Sequence, residues 1–482
     1  RDAFMWAENL EENYIEVRAG SPPEFLPEWA RVWLDREMGN AFDQITSLYV
    51  REKELRDDEM RHFRRLVDLE KLDFGRSNVN DAQLANLAGC AELRSLNLGE
   101  TKVTGEGLSH LKRLSKLENL NFYRSNVNDA NLANLAGCAE LRSLNLGETK
   151  VTGEGLSHLK RLSKLENLNL DRTNVTNAGL APLSNFSNLK TLRLWGSDVT
   201  DEGLVHLSGL SNLEDVKLCG LEIQGSGLVH LSGHSKLRRI SFWGSDVEDA
   251  GLEHLGGLQQ LEYLSLVHNN VEGHGLVHLG SLPQLRELNL WATGVTDDDL
   301  KHLSALPNLT HLYLGKTKLQ GSGMIHLRGL PLKDLNLEET SVTDEDLKHL
   351  ATLSGIERLV LSGTQITDAG LQHLSGLSAL RILHLSDTDI TGQGLAHLSG
   401  LPALYELELN DTSVNDLGLE HVSGMSRMIT LGLNNTNVTD AGLGQLSGLK
   451  SVSSVDVGGT KVTKEAANQL RKTMGILGTV KR

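Results

Sequence analysis

The sequence predicts an α/β solenoid: a right-handed, curved coil with short parallel strands on its concave side and short helices on its convex side. The first observation is a period of 24 residues that begins at Ile45 and continues through the 482-residue chain. The second is the leucine spacing within each period, as in Leu189, Leu192 and Leu194. A fixed period in the twenties indicates turns that each bury one apolar face against the next turn.

The period divides residues 45–482 into 18 units, and the last unit also forms a C-terminal cap with a polar helix over residues 464–472. The units begin at Ile45, Leu69, Leu93, Leu117, Leu141, Leu165, Leu189, Leu213, Leu237, Leu261, Leu285, Leu309, Leu332, Ile356, Leu380, Leu404, Met428 and Val452. The unit from Leu309 has 23 residues, and its missing residue falls in the linker after Leu330, where a deletion is tolerated best. Residues 93–116 and 141–164 are identical, which indicates growth by tandem duplication.

Each unit contains the signals of a strand, a turn and a helix. Alternate leucines in the segment xLxL predict a short strand with one buried face. Thr or Ser occupies the ninth position of 15 units, and we expect its hydroxyl to bond backbone groups of adjacent turns. Thr200 and Asp201 predict a capped helix start, after which Leu204 and Leu207 face the core on about two helical turns. Gly209 is suited to ending that helix.

The combined pattern, LxxLxLxxTxVTDxGLxHLxxL, covers about nine tenths of the chain. It resembles the leucine-rich repeat family. The run ITDAGL at residues 366–371 is similar to the 24-residue repeats abundant in bacterial proteins of the planctomycete type. Cysteine-containing repeats of eukaryotic F-box proteins are also similar, but Thr or Ser at the ninth position favours the bacterial variant. The resemblance implies an α/β leucine-rich-repeat solenoid that binds partners without catalysis.

Residues 1–44 do not follow the repeat and are predicted to form an N-terminal cap over the open core of the first turn. Residues 14–18, YIEVR, have strand character, and Pro27 begins a helical pattern. Trp29 and Trp33 fall on one face of that helix. The alternative interpretation is a small ligand site around these two tryptophans.

Composition excludes several classes of function. The net charge of -16 argues against nucleic acid as a partner, and no run of 18 apolar residues could span a membrane. Because the chain begins at Arg1, an upstream signal or anchor removed by processing would place it outside the cytoplasm or at the cell surface. Three cysteines are too few for a disulfide framework: Cys90 and Cys138 are expected in the core, and Cys219 on the exposed face is a surface thiol or a reactive one.

Of 18 histidines, 13 share one position on the predicted helices. They are His62, His110, His158, His206, His230, His254, His278, His302, His326, His349, His373, His397 and His421. One imidazole per turn does not provide converging metal ligands, so we expect a structural ladder that bonds neighbouring turns, with no metal and no cofactor. The motifs GxSxG, GxxxxGK[ST] and HExxH are absent from the sequence, and we therefore predict that the protein is not an enzyme.

The exposed face of the sheet carries the candidate ligand-binding residues. Trp195, Trp243 and Trp291 share the seventh position of alternate units. From Lys190 to Lys316, seven basic residues on this face stand against four acidic ones, which favours an acidic partner. The candidates are Arg193, Trp195, Lys217, Arg238, Arg239, Trp243, Tyr263, His268, Trp291, His311 and Tyr313. Alternatively, the tryptophans shield strand edges and recur because of duplication.

These observations favour a non-catalytic scaffold that binds a protein or peptide on the concave face. Binding of a carbohydrate along the tryptophans is one alternative, since spaced aromatic rings stack on sugars. A structural or adhesive surface protein, whose length is its function, is another. A ubiquitin-ligase substrate receptor of the F-box type ranks lower, because residues 1–44 show no helical segment of the F-box kind.

Overall fold

The computed structural model describes residues 15–18, 46–474 and 479–481. They belong to two compact units, Arg1–Glu222 and Ile223–Arg482. The predicted strand near the N-terminus is present, because residues 15–18 pair antiparallel with residues 47–50. The predicted helix from Pro27, with Trp29 and Trp33, lies outside the described residues.

The first unit contains one sheet whose strands follow the order of the chain. Its strands are β1 Ile15–Arg18, β2 Ser47–Val50, β3 Lys71–Asp73, β4 Ser95–Asn97, β5 Asn119–Asn121, β6 Ser143–Asn145, β7 Asn167–Asn169, β8 Thr191–Arg193 and β9 Asp215–Lys217. From β2 to β9 each strand pairs parallel with the next, and leucines at the same repeat position, such as Leu96 and Leu120, are register partners. The pattern LxxLxL therefore sets the register of the sheet.

The second unit contains a parallel sheet of the same design. Its strands are β10 Arg239–Ser241, β11 Tyr263–Ser265, β12 Glu287–Asn289, β13 His311–Tyr313, β14 Asp334–Asn336, β15 Arg358–Val360, β16 Ile382–His384, β17 Glu406–Glu408, β18 Thr430–Gly432, β19 Ser454–Asp456 and β20 Thr479–Lys481. The 23-residue unit keeps this register, since Leu312 pairs with Leu335. The missing residue is thus absorbed in the linker, as predicted.

A short helix lies between successive strands, and most of these helices are of the 3-10 type. In the first unit the 3-10 helices are Arg61–Arg65, Ala85–Gly89, Glu106–Arg113, Asp129–Gly137, Ala178–Asn185 and Asp201–Leu207, and the α-helices are Asp57–Met60, Asp81–Leu84 and Gly153–His158. In the second unit the 3-10 helices are Ser226–Leu231, Asp249–Leu255, Asp297–Ala305, Ser322–Leu327, Leu350–Thr352, Gly370–Leu374, Gln393–His397 and Leu446–Gly448. Its α-helices are Leu276–Leu279, Asp344–Leu347, Asp416–Val422, Asp440–Gln445 and the terminal Lys464–Met474.

The 3-10 geometry follows from the leucine spacing. With about three residues per turn, residues at i and i+3 lie on the same face. Leu204 and Leu207 meet that condition, and both are fully buried. The strand leucines, such as Leu264, are also buried, so each turn adds one apolar layer to a continuous core. Cys90 and Cys138 belong to this core as predicted.

The eighth residue of every one of the 18 repeats has a positive φ, and in 13 repeats this residue is not glycine. Ala292, for example, has a φ of 55°. This left-handed residue turns the chain out of the strand, and its N–H donates to the seventh residue of the next turn, as from Ala292 to the Gly315 carbonyl at 2.8 Å. A non-glycine residue has a higher conformational energy at positive φ, and the hydrogen bond to the next turn offsets part of that energy.

In most units the ninth-position hydroxyl bonds within its own turn instead of to an adjacent turn, which differs from the expectation. The Thr293 hydroxyl donates to the Leu290 carbonyl at 2.6 Å within its own unit, and the same bond recurs in most units. The hydroxyl therefore closes the turn that follows each strand. Asn269, at the same position, does bridge turns, because its amide donates to the Phe242 carbonyl at 2.8 Å and accepts from the Val247 N–H at 2.9 Å.

Consecutive turns are joined instead by an acidic residue at the thirteenth position and a threonine at the twelfth position of the next unit. Asp129 accepts the backbone N–H of Thr152 at 2.8 Å and its hydroxyl at 2.6 Å. The Thr152 hydroxyl also accepts from the Glu154 N–H at 3.2 Å and so caps its helix. The helix predicted at Thr200 does begin at Asp201, but Thr200 forms no side-chain cap. The same Asp–Thr bonds join Asp344 to Thr367, Asp368 to Thr391, Asp416 to Thr439 and Asp440 to Thr463.

Candidate binding face on the sheet

On the second unit, parallel register arranges the exposed side chains of the sheet in rows across the strands. Arg239, Tyr263, Glu287 and His311 are successive register partners and form one row. Ser241, Ser265, Asn289 and Tyr313 form the next row, and the seventh-position residues, including Trp243 and Trp291, follow just beyond the strands. Rows of candidate residues that are 24 apart in sequence are thereby brought side by side.

A continuous strip of rings occupies the outer row. His268 lies between the two tryptophans, with its ring centroid 6.4 Å from Trp243 and 4.8 Å from Trp291, and it meets both nearly edge-on. The Lys316 ammonium lies 4.9 Å from the centroid of Trp291. We call Trp243, His268, Trp291 and Lys316 the aromatic strip. Trp243 is 46% exposed, which is unusual for a side chain of its size and leaves this ring accessible.

We call the part of the sheet face between the aromatic strip and the row that contains Tyr263 the trough, and the middle row is its floor. The Arg239 guanidinium lies 4.0 Å from the centroid of Tyr263, so this row also carries a cation stacked on a ring. The middle row here consists of small polar side chains, Ser241, Ser265 and Asn289, between rows that carry larger ones. The trough therefore has aromatic sides and a polar floor.

The larger Tyr313 occupies the middle row at one end of the trough. Its hydroxyl donates to the Asp334 carboxylate at 3.2 Å, and burial together with this carboxylate raises the pKa of Tyr313. Asp334 is also paired with Arg358 at 3.2 Å. The Nδ1 of His311 lies 2.9 Å from the Thr310 hydroxyl. His311 and Tyr313 therefore form an ordered boundary of the trough.

The first unit carries its own candidates on β8 and β9. The Arg172 guanidinium lies 4.1 Å from the centroid of Trp195. Asp171 accepts from the Arg193 side chain at 2.8 Å and from the Trp195 N–H at 2.9 Å. Lys217 is half-buried at the end of β9. Trp195 is thus fixed by a cation on its ring and by a carboxylate at its backbone.

The basic excess predicted for this face is largely neutralised. Lys190 pairs with Glu166 at 2.7 Å, Arg193 with Asp171 and Lys316 with Glu339 at 2.9 Å, and all three carboxylates lie just outside the stretch from Lys190 to Lys316. When these three carboxylates are added to the four within the stretch, seven carboxylates balance the seven basic residues. Arg238 is also paired, with Glu262 at 2.7 Å. The aromatic rings, rather than a net positive charge, distinguish this face.

Sequence reasoning missed Arg172 and Asp171 as neighbours of Trp195. Asp171 and Arg172 are the seventh and eighth residues of the preceding repeat, 24 and 23 residues before Trp195. Trp291 also has a cation at the eighth position of an adjacent repeat, but this cation, Lys316, lies in the following repeat, 25 residues later. A search for cations at the eighth position of both adjacent repeats could have identified the two pairs from the sequence.

The 13 repeat histidines do not form the expected hydrogen-bonded ladder. None of these imidazoles forms a hydrogen bond to a neighbouring turn within the described chain. The Nδ1 of His349 is buried without a partner, and burial lowers the pKa of this residue. His254 approaches Glu253 of its own turn at 3.5 Å. Among the described residues, no group of three or more His, Cys, Asp or Glu side chains could hold a metal ion.

Known proteins share this architecture. The family model described as Leucine Rich repeat matches residues 377–399. Among solved structures, the mouse RP105/MD-1 complex is similar with a TM-score of 0.64 and 18% identity, covering 89% of this chain and 78% of that chain. A leucine-rich repeat protein of Leptospira interrogans has a TM-score of 0.59 and 18% identity, covering 89% of this chain and 100% of that chain.

An internalin of Listeria monocytogenes is similar with a TM-score of 0.54 and 22% identity, covering 68% of this chain and 88% of that chain. At these identities the similarity concerns the fold alone. No curated protein sequence matches the chain. Among the described residues, no helix has the length and apolar character needed to cross a membrane.

Proposed function

This chain is a leucine-rich repeat protein, and from that premise we propose that it is a non-catalytic scaffold that binds a protein or peptide on the exposed face of its sheet. The observation that carries the proposal is the aromatic strip with its accessible Trp243. Trp, Tyr and Arg side chains contribute most of the binding energy in protein interfaces. The mouse RP105 structure, solved in complex with MD-1, supports a binding role for this architecture.

The trough suits an extended peptide. Its polar floor of Ser241 and Asn289 offers hydroxyl and amide groups to a peptide backbone, and its aromatic sides offer apolar contact. Arg239, stacked on Tyr263 at the rim, is placed to meet a carboxylate of the partner. An acidic group in the partner would therefore add specificity at one point. Because the face is nearly neutral, most of the affinity comes from the rings.

A carbohydrate is the less favoured ligand. Sugars stack on the flat faces of aromatic rings, and in this protein cations already lie over two of those faces. Arg172 lies over Trp195 and Lys316 over Trp291. These stacked cations leave less ring face for a sugar. A catalytic role is not proposed either, because the strip combines packed rings and a paired cation instead of a nucleophile beside a base.

Peptides selected on the full-length protein from a random peptide library provide the test, and their affinity is then measured by titration calorimetry. We expect Trp243→Ala combined with Arg239→Ala to weaken binding at least tenfold, since loss of a central aromatic residue typically costs about 2 kcal/mol. The double variant should fold normally, because both side chains are exposed. The matched control is Glu406→Ala with Glu408→Ala, on the same sheet face.

Loss of binding in the Glu406/Glu408 control, with retention in the Trp243/Arg239 variant, would place the site elsewhere on the sheet. A glycan array is run in parallel. Strong glycan binding that depends on Trp243, with no peptide selected, would replace the peptide by a carbohydrate as the ligand. If the protein binds neither peptides nor glycans, a structural or adhesive role, in which length is the function, becomes the better explanation.

A further inference from the structure

An open depression of about 350 Å³ lies on the helical side of the first unit, away from its sheet. Its polar lining is Ser157, His158, Lys160, Arg161 and Asn185, and the rest of the lining is two alanines and a proline. No carboxylate lines it. Positive charge and neutral polar groups therefore line one hollow.

The hollow results from a difference in side-chain size between successive turns. Lys160 and Arg161 occupy the twentieth and twenty-first positions of their unit, and the preceding unit has Ala136 and Gly137 there. Gly137 packs closely on the turn before it, since a Cβ at Gly137 would meet the Lys112 carbonyl oxygen at 2.7 Å. Small residues in one turn thus leave space beside the long cationic side chains of the next.

Lys160 and Arg161 supply the positive charge of the depression. Some basic residues of this unit pair with carboxylates of adjacent turns, as Arg94 does with Glu118 at 2.6 Å and Lys164 with Glu140 at 2.6 Å. Within the described chain Lys160 and Arg161 form no ion pair, and both are exposed. Lys112 and Arg113, two turns earlier, are likewise unpaired among the described residues, but the turn after them has Asn134 and Gly137 where the depression is lined by Pro182 and Asn185. The depression therefore combines two available cations with a hollow that can receive an anion.

We propose that this depression binds the phosphate monoester group of a small molecule. Arg161 can donate two parallel hydrogen bonds to such a group, and Lys160 contributes a point charge. Ser157 and Asn185 add neutral polar groups. The volume lies near the lower end of the range of about 300–1,000 Å³ that is typical of ligand pockets, which suits a compact ligand. This site is separate from the sheet face and does not depend on the peptide-binding proposal.

Titration calorimetry of the full-length protein with D-glucose 6-phosphate tests the proposal, and inorganic phosphate and D-glucose are run as separate titrants. We expect the two phosphate compounds to bind and glucose to give no heat. If glucose 6-phosphate binds and inorganic phosphate does not, the sugar contributes to recognition. Lys160→Ala with Arg161→Ala should weaken binding at least tenfold.

The matched control is Lys112→Ala with Arg113→Ala, which removes the same two charges from an identical sequence two turns earlier. Binding in this control should change less than threefold. Equal weakening in both double variants would show general electrostatic attraction and overturn the site. The site would also be overturned if the unaltered protein bound neither glucose 6-phosphate nor inorganic phosphate. Ala136→Asp, which places a carboxylate in the depression, gives a second test and should also abolish binding.

Discussion

The Asp129 carboxylate binds both the backbone N–H and the hydroxyl of Thr152, at 2.8 and 2.6 Å, across 23 residues of sequence. Apolar layers can stack in more than one way, but these directional bonds fix one turn relative to the next. The repeated TD dipeptide therefore serves two neighbouring turns: its threonine bonds to the turn before, and its aspartate bonds to the turn after.

We expect Asp129→Ala to lower the free energy of unfolding by about 1.5–3 kcal/mol, because it removes two hydrogen bonds to a charged group. Asp129→Asn is the control, since Asn177 already fills this role: it accepts from the Thr200 N–H at 2.8 Å and donates to the Thr200 hydroxyl at 2.9 Å. Denaturant titration measures both variants. Equal stability of the alanine and asparagine variants would mean that the inter-turn bonds contribute nothing.

The left-handed residue after each strand gives a matched pair of substitutions. Ala292 has a φ of 55° and Gly244, at the same repeat position, a φ of 64°. Ala292→Gly should stabilise the second unit by about 0.5–1 kcal/mol, because glycine tolerates this conformation. Gly244→Ala should destabilise it by a similar amount, and no atom lies within 4 Å of the added Cβ to cause a clash. Thermal unfolding of both variants measures the effect, and shifts of the same sign would contradict it.

The buried leucines could be predicted from the sequence alone. A 24-residue period repeated 18 times fixes which residues pair across strands, and the structure places Leu264 beside Leu288 in that register. The apolar layers could be predicted because a shift of one residue in strand register would expose every buried leucine of that strand.

Polar partners were harder to predict than apolar ones. Thr200 and Asp201 are adjacent in sequence and together predict one helix start, whereas the backbone N–H of Thr200 donates to Asn177 in the turn before. The predicted excess of basic residues between Lys190 and Lys316 is offset for a similar reason. Glu166 and Glu339 lie outside this stretch of sequence, but they pair with Lys190 and Lys316 at its two ends. In a solenoid, a polar group must be considered together with residues about 24 positions away in both directions.

The core register itself can be tested at Leu264, which is fully buried. Leu264→Asp should lower the free energy of unfolding by about 4 kcal/mol or more, because an unpaired charge enters the shared core. Leu264→Met keeps the volume and should cost less than about 1.5 kcal/mol. Circular dichroism during thermal unfolding compares the two, and an unchanged melt of the aspartate variant would show that this residue does not face the core.

The carboxyl group of Glu408 should make stability depend on pH. It lies over Gly432, where a Cβ would collide with it, and it accepts a hydrogen bond from the Asn410 amide at 2.7 Å. Burial raises the pKa of Glu408, an effect that outweighs the opposing hydrogen bond from Asn410 and the nearby His384. The folded protein therefore binds this proton more tightly than the unfolded chain, and stability from this group increases as the pH falls.

The ionised carboxylate of Glu408 lowers the free energy of unfolding by its full amount at pH values above the folded-state pKa. This loss of stability disappears below the unfolded-state pKa of about 4. At pH 7 we therefore expect Glu408→Gln to raise the free energy of unfolding, by less than about 1 kcal/mol because the group is partly screened by solvent. The advantage of the glutamine variant should shrink to zero as the pH approaches about 4. Glu420→Gln, at an exposed carboxyl on the helical side, removes the same charge and should change stability little at either pH. An advantage of Glu408→Gln that grows as the pH falls would have the wrong sign and would show that the ionised form of Glu408 stabilises the fold.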